Sequence, residues 1–86
     1  MTVYAIVRDL DCGYQGDRDQ VAKAGFKVGD RFTLKGVSMG QSHTTVTLEG
    51  HPVGFNSVFF DFEEDGEPLD IYSDARFNPY IRNPHL

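Results

Sequence analysis

Apolar side chains in this chain recur at every second position, in short runs that glycine, proline, asparagine and aspartate repeatedly interrupt. A period of two belongs to β-strands, whose successive side chains point to opposite faces, and it leaves little of the chain to helix. Over residues 3–7, Val3, Ala5 and Val7 alternate with Tyr4 and Ile6, and both faces are apolar, as in a strand covered on both sides. Residues 31–37 set Phe32 and Leu34 against Thr33 and Lys35, and residues 44–49 set Val46 and Leu48 against Thr45, Thr47 and Glu49. Residues 56–62 read as a fourth strand, with Val58, Phe60 and Phe62 on one face and Ser57, Phe59 and Asp61 on the other. Residues 69–72 supply a fifth.

The turn chemistry agrees with this division. Lys27-Val28-Gly29-Asp30 reads as a tight turn before the second strand, residues 50–54 as a turn after the third, and Asp65-Gly66 as a two-residue hairpin loop. Gly36 shifts the phase of its strand, because Val37 and Met39 fall on the face that Thr33 and Lys35 held; an interior glycine at such a shift predicts a bulge or bend. Residues 10–29 lose the alternation, and residues 17–24 are expected to form about two helical turns capped by Asp17. Ser73 and Asp74 can open one more turn through Phe77 before Pro79 and Pro84 prevent anything longer.

The expected fold is mainly β: a single small five-stranded barrel or curled antiparallel meander, with one short helix in the loop after the first strand. One domain is expected over residues 1–86, with a core of residues 1–75 and a proline-aromatic tail over 76–86 that packs through Phe77 and Tyr80. A domain of 86 residues buries only about 60–65% of its unfolded surface, so its core must be compact, and seven Phe and four Tyr supply the bulk. The single cysteine, Cys12, excludes an intramolecular disulfide, and a reducing cytoplasm is the expected setting. Arg8, Asp9 and Asp11 interrupt the opening apolar run, and no stretch reaches the roughly 20 apolar residues that span a bilayer, so no membrane association is expected.

The segments KVGDRFTLKGV, GQSHTTVTLEG and FNSVFFDF, spread over residues 27–62, resemble the short Src-homology-type β-barrel proteins commonly encoded by bacteriophages and prophages. In those proteins a strand of the form xxGKxYxV, a second strand and an aromatic strand follow in the same order. The resemblance implies a phage-associated accessory protein and identifies no catalytic residue. The acidic segment over residues 63–70 and the proline-aromatic tail depart from the barrel pattern.

Charge is unevenly spread along the chain. Between positions 36 and 75 there is no Lys or Arg, while Glu49, Asp61, Glu63, Glu64, Asp65, Glu67, Asp70 and Asp74 all fall there. A negative field over that half would repel phosphate backbones, which disfavours nucleic acid, and would attract a basic protein surface. Phe55, Phe59 and Tyr72 are expected on the outer face, where together with Glu63, Glu64 and Asp65 they would contact a host protein. Edge strands beside such a patch suggest a homo-oligomer.

Candidate chemistry is sparse. Cys12 would act as a nucleophile only with His43, His51 or another base beside it. His43 and His51 flank the third strand, His85 lies in the tail, and Asp9, Asp11, Asp17 and Asp19 do not match a calcium loop, so no metal is expected. No phosphate loop, dinucleotide fingerprint or nucleophile elbow is present, so neither a cofactor nor an enzymatic activity is expected. The leading expectation is a non-enzymatic protein that occupies a host protein, with a component of an antiviral defence system as the candidate target. The alternative is an oligomeric binder or sponge for a small nucleotide-like ligand, held by Gln41, Ser42, His43, Thr44 and Asn56 with Ser57 nearby. A component of a phage assembly is the third reading.

Overall fold

The computed structural model describes residues 2–40 and 43–78. In chain order the elements are β1 (Val3–Val7), α1 (Gln15–Ala24), β2 (Arg31–Met39), β3 (Thr44–Leu48), β4 (Gly54–Asn56), a 3-10 turn (Ser57–Phe59), β5 (Phe60–Glu64) and β6 (Glu67–Leu69). The six strands form one open antiparallel sheet in the order β4-β3-β2-β1-β5-β6. The expected class, mainly β with one short helix after the first strand, is the observed one. The strand count is six rather than five, because residues 54–64 hold two strands separated by the 3-10 turn. The order is not that of a simple meander, since β5 returns to pair with β1 on the side that β2 leaves free.

Strand β2 joins two ladders. Its first residues pair with β1 (Phe32 opposite Ala5), and its later ones pair with β3 (Val37 opposite Val46). The register shifts between Leu34 and Gly36, the place where the alternation changes phase in the sequence. The bend lets both ladders turn their apolar sides onto one core, with Ala5, Val7, Phe60 and Phe62 from one and Val46, Leu48 and Phe55 from the other.

The loop between β1 and β2 closes one side of that core. Gly25 ends α1 in the left-handed region at φ 77, and its N–H and that of Phe26 return to the Ala22 and Val21 carbonyls. Phe26 is thereby set among Phe32, Phe55 and Phe60, with ring centroids 4.7, 4.8 and 6.2 Å away, and the edge of His51 meets the same cluster at 5.2 Å. Gln20 Nε2 donates to the Gly54 carbonyl at 3.0 Å and ties the helix to edge strand β4. The other edge, β6, is three residues long and contains Pro68, so both edges are short. At the end of β5, Asp65 and Gly66 both take positive φ, 53 and 81, the backbone of a type I′ hairpin.

Two parts of the sequence reading need correction. Helix α1 begins at Gln15, and Asp17 lies in its first turn rather than at its cap; its carboxylate accepts from the Tyr14 N–H at 3.3 Å. Phe59 is not on an outer face: it is completely buried, and Phe55 is 2% exposed. The alternation fails at Asn56, whose side-chain oxygen accepts from the Val58 N–H at 3.1 Å and winds the chain into the 3-10 turn. Phe59 and Phe60 then both enter the core, their rings perpendicular at 6.4 Å, and Val58 is left outside. Tyr80 lies outside the described residues.

Candidate ligand-binding cleft

The 3-10 turn also builds the wall of a surface cleft. Asn56 is held at both ends of its amide, Nδ2 donating to Asp17 Oδ2 at 3.0 Å while Oδ1 accepts from Val58. Ser57 is 2% exposed and its hydroxyl shares a short hydrogen bond with the Tyr72 hydroxyl, which brings the chain after β6 against the turn. Cys12 Sγ lies 3.4 Å from the Val58 carbonyl, and Arg8 Nη2 donates to the same oxygen at 2.8 Å. Opposite this wall stand Gly13 and Tyr14, at the entrance to α1, and His43 and Thr44, at the start of β3. Together they enclose a cleft of about 340 Å³.

Three residues of the polar set expected from sequence, His43, Thr44 and Asn56, therefore line one cleft, with Ser57 beside them. Gln41 and Ser42 lie outside the described residues. The cleft also recruits Tyr72, a residue expected in the protein-contact set, and Tyr14, which no sequence pattern singled out. Tyr14 is 78% exposed, Tyr72 45% and Val58 36%, so a polar floor is bordered by exposed aromatic and aliphatic surface. Thr44 is only 9% exposed.

The protein-contact set is not brought together. Phe55 and Phe59 belong to the core, and Glu63 and Glu64 have cationic neighbours from elsewhere in the chain. Arg31, on β2, forms an ion pair with Glu63 and also stands 4.2 Å above the Tyr4 ring. Arg76 meets Glu64 at 2.8 Å and Asp74 at 2.6 Å, and Arg8 reaches Asp61 at 3.8 Å. The guanidinium hydrogen bonds from Arg76 hold both the Glu64 and Asp74 carboxyls below their ordinary range, and the two carboxylates raise the basicity of Arg76. The charge separation seen along the sequence is thus partly cancelled in space, because the fold brings Arg8 after β1, Arg31 across β1 on β2 and Arg76 after β6 up to the acids of β5.

The remaining candidates are separated as well. His51 packs edge-on to Phe26, Phe32 and Phe55, whereas His43 lies on the cleft. Among the described residues no group of three or more His, Cys, Asp or Glu is placed to hold a metal ion, and no helix is long and apolar enough to cross a membrane.

Fold and cleft together define a small open-sheet β protein with a tyrosine-bordered polar recess. The family described as Bacteriophage T4 protein Y07B matches residues 2–83, and the chain belongs to that family of phage proteins. No curated protein and no solved structure matches the chain. The likeness to Src-homology-type barrels rests on the residue pattern over 27–62 alone.

Proposed function

We propose that this phage protein is a non-enzymatic binding protein that holds a small polar, nucleotide-like ligand in the cleft between Tyr14 and Tyr72. The observation that carries the reading is the convergence of His43 and Thr44, at the start of β3, with Asn56 and Ser57, at the junction of β4 and the 3-10 turn, on one recess of about 340 Å³. That size is within the range of small-molecule sites, which combine apolar walls with a few fixed polar groups. Kinship with Src-homology-type barrels is part of the proposal, supported by the antiparallel order and by a long β2 shared between two ladders. A thermal-shift survey of nucleosides and nucleotides tests the binding reading: a ligand at 100 times its dissociation constant stabilises the fold by about 2.7 kcal/mol. No shift with any of them refutes it.

A second reading, occupation of a host protein, is favoured by one separate observation. Tyr14, Val58 and Tyr72 are exposed large hydrophobics and all three border the same cleft, which is the composition of a protein contact. An anti-defence role would belong to this reading. A native mass spectrum of the tagged protein recovered gently from host lysate separates the two: a small adduct supports the ligand reading, and a stoichiometric host protein lost on Tyr72→Ala supports the second.

A further inference from the structure

Resting on the small-ligand reading above, we infer that the cleft recognises the uncharged ring portion of its ligand, a nucleoside, and selects against a phosphate attached to it.

The polar groups of the cleft are divided into those already satisfied and one that is not. Asn56 spends both ends of its amide on Asp17 and Val58, and the Ser57 and Tyr72 hydroxyls bond each other. These form a fixed wall. Thr44 is nine-tenths buried, lines the cleft, and its hydroxyl has no hydrogen-bond partner among the described residues. Because no buried side-chain polar atom among the described residues lacks a partner, this hydroxyl opens onto the cleft, where a ligand donor or acceptor can replace its water, and the edge of a nucleobase carries both. The exposed rings of Tyr14 and Tyr72 offer the flat apolar surface on which such a base stacks.

The charges point away from phosphate. Among the described residues no Lys or Arg side chain lines the cleft. The first turn of α1, where an anion would otherwise be held by helix N–H groups, already contains the Asp17 carboxylate, which accepts from Tyr14 N–H and from Asn56. Asp17 Oδ2 also lies 3.5 Å from the point where a side chain on Gly13 would begin. Two arginines bond backbone carbonyls of the wall without lining the cleft: Arg18 donates to the Gly13 carbonyl at 3.2 Å and Arg8 to the Val58 carbonyl. A phosphate in the cleft would lie near the Asp17 carboxylate, which is bonded to the cleft residues Tyr14 and Asn56, with no Lys or Arg of the described residues lining the site to offset it. His43 lines the rim and, among the described residues, is the one lining side chain able to carry a positive charge, so the comparison is made at alkaline pH.

The test is a 1H–15N titration of the full chain at pH 8 with adenosine, guanosine, cytidine and uridine, each against its 5′-monophosphate. The expected result is that at least one nucleoside moves the amides of Tyr14, Thr44, Ser57 and Tyr72 and binds about tenfold or more tightly than its monophosphate. Thr44→Val, which keeps shape and burial, should weaken that nucleoside about tenfold while its remaining spectrum stays native, and Asp17→Asn should narrow the gap to the monophosphate. A monophosphate that binds as tightly as its nucleoside, or more tightly, overturns the inference and leaves the small-ligand reading standing. Failure of every nucleoside and monophosphate to move these amides overturns both.

Discussion

Arg76 grips Glu64 at two points, Nη1 to Oε2 and Nη2 to Oε1, each at 2.8 Å, while the same guanidinium reaches Asp74 through Nε and Nη2. This fork joins the chain after β6 to the end of β5, and Phe77 packs on the core beside it. Because both carboxyls are depressed in the folded protein, their contribution to stability is fully present above the ordinary carboxylate pKa and is lost as pH falls through the lowered values. The stability difference between the parent protein and Arg76→Gln, read by urea denaturation, should therefore be present at pH 7 and shrink progressively as pH falls below the ordinary carboxylate range. It should also shrink in high salt, since Arg76 is exposed and the fork lies at the surface. A difference that does not shrink however far the pH is lowered would show that the fork does not contribute electrostatically.

Phe59→Ala should destabilise the fold by about 3–5 kcal/mol, the cost of removing a large buried ring from a close-packed core. Placement on an outer face, as simple alternation suggests, would instead give a change within about 0.5 kcal/mol. Equilibrium denaturation distinguishes the two, and Val58→Ala, one residue away and 36% exposed, is the internal control.

Gly54 is tightly enclosed: a Cβ at this position would lie 2.3 Å from Thr45 Cγ2. Gly54→Ala should cost about 1–3 kcal/mol through overpacking between β3 and β4. Thr45→Ala should recover part of that loss, so a double-mutant cycle should give a favourable coupling. Strict additivity would mean that the clash is relieved by backbone movement instead.

The hairpin loop makes a sharper backbone prediction. Gly66 sits at φ 81 with nothing within 4 Å of where a side chain would begin, so Gly66→Ala tests conformation without a clash. A loss of about 1 kcal/mol is expected from the left-handed backbone alone. No loss in thermal or chemical denaturation would count against the type I′ assignment.

Much of the sheet was legible because strand period and turn chemistry are local. Residues 3–7 and 44–48 are strands where the alternation puts them, and Gly36 and Asp65-Gly66 mark the register shift and hairpin they suggest. The break at Asn56 was hidden because seven residues that alternate cleanly also happen to contain a side-chain amide able to capture the backbone two positions on. The pairing of Arg31 and Arg76 with the β5 acids was hidden for another reason: it depends on β1 lying between β2 and β5, a long-range fact. The cleft divides likewise. His43, Thr44 and Asn56 could be noticed as a polar set, whereas Gly13 and Tyr14 reach it only because α1 docks on β4 through Gln20.

Strand β1 comes first in chain order and yet occupies the middle of the sheet, with β2 on one side and β5 on the other. Residues 3 to 7 register against residues 60 to 64, so the sheet's second ladder waits until most of the chain has been made. Such distant pairing is slow, because loop-closure entropy is lost before the contacts that offset it have formed. During synthesis, one edge of β1 stays open until β5 arrives, and the arrival of that single strand is the kinetic event that turns a partial hairpin array into the finished protein.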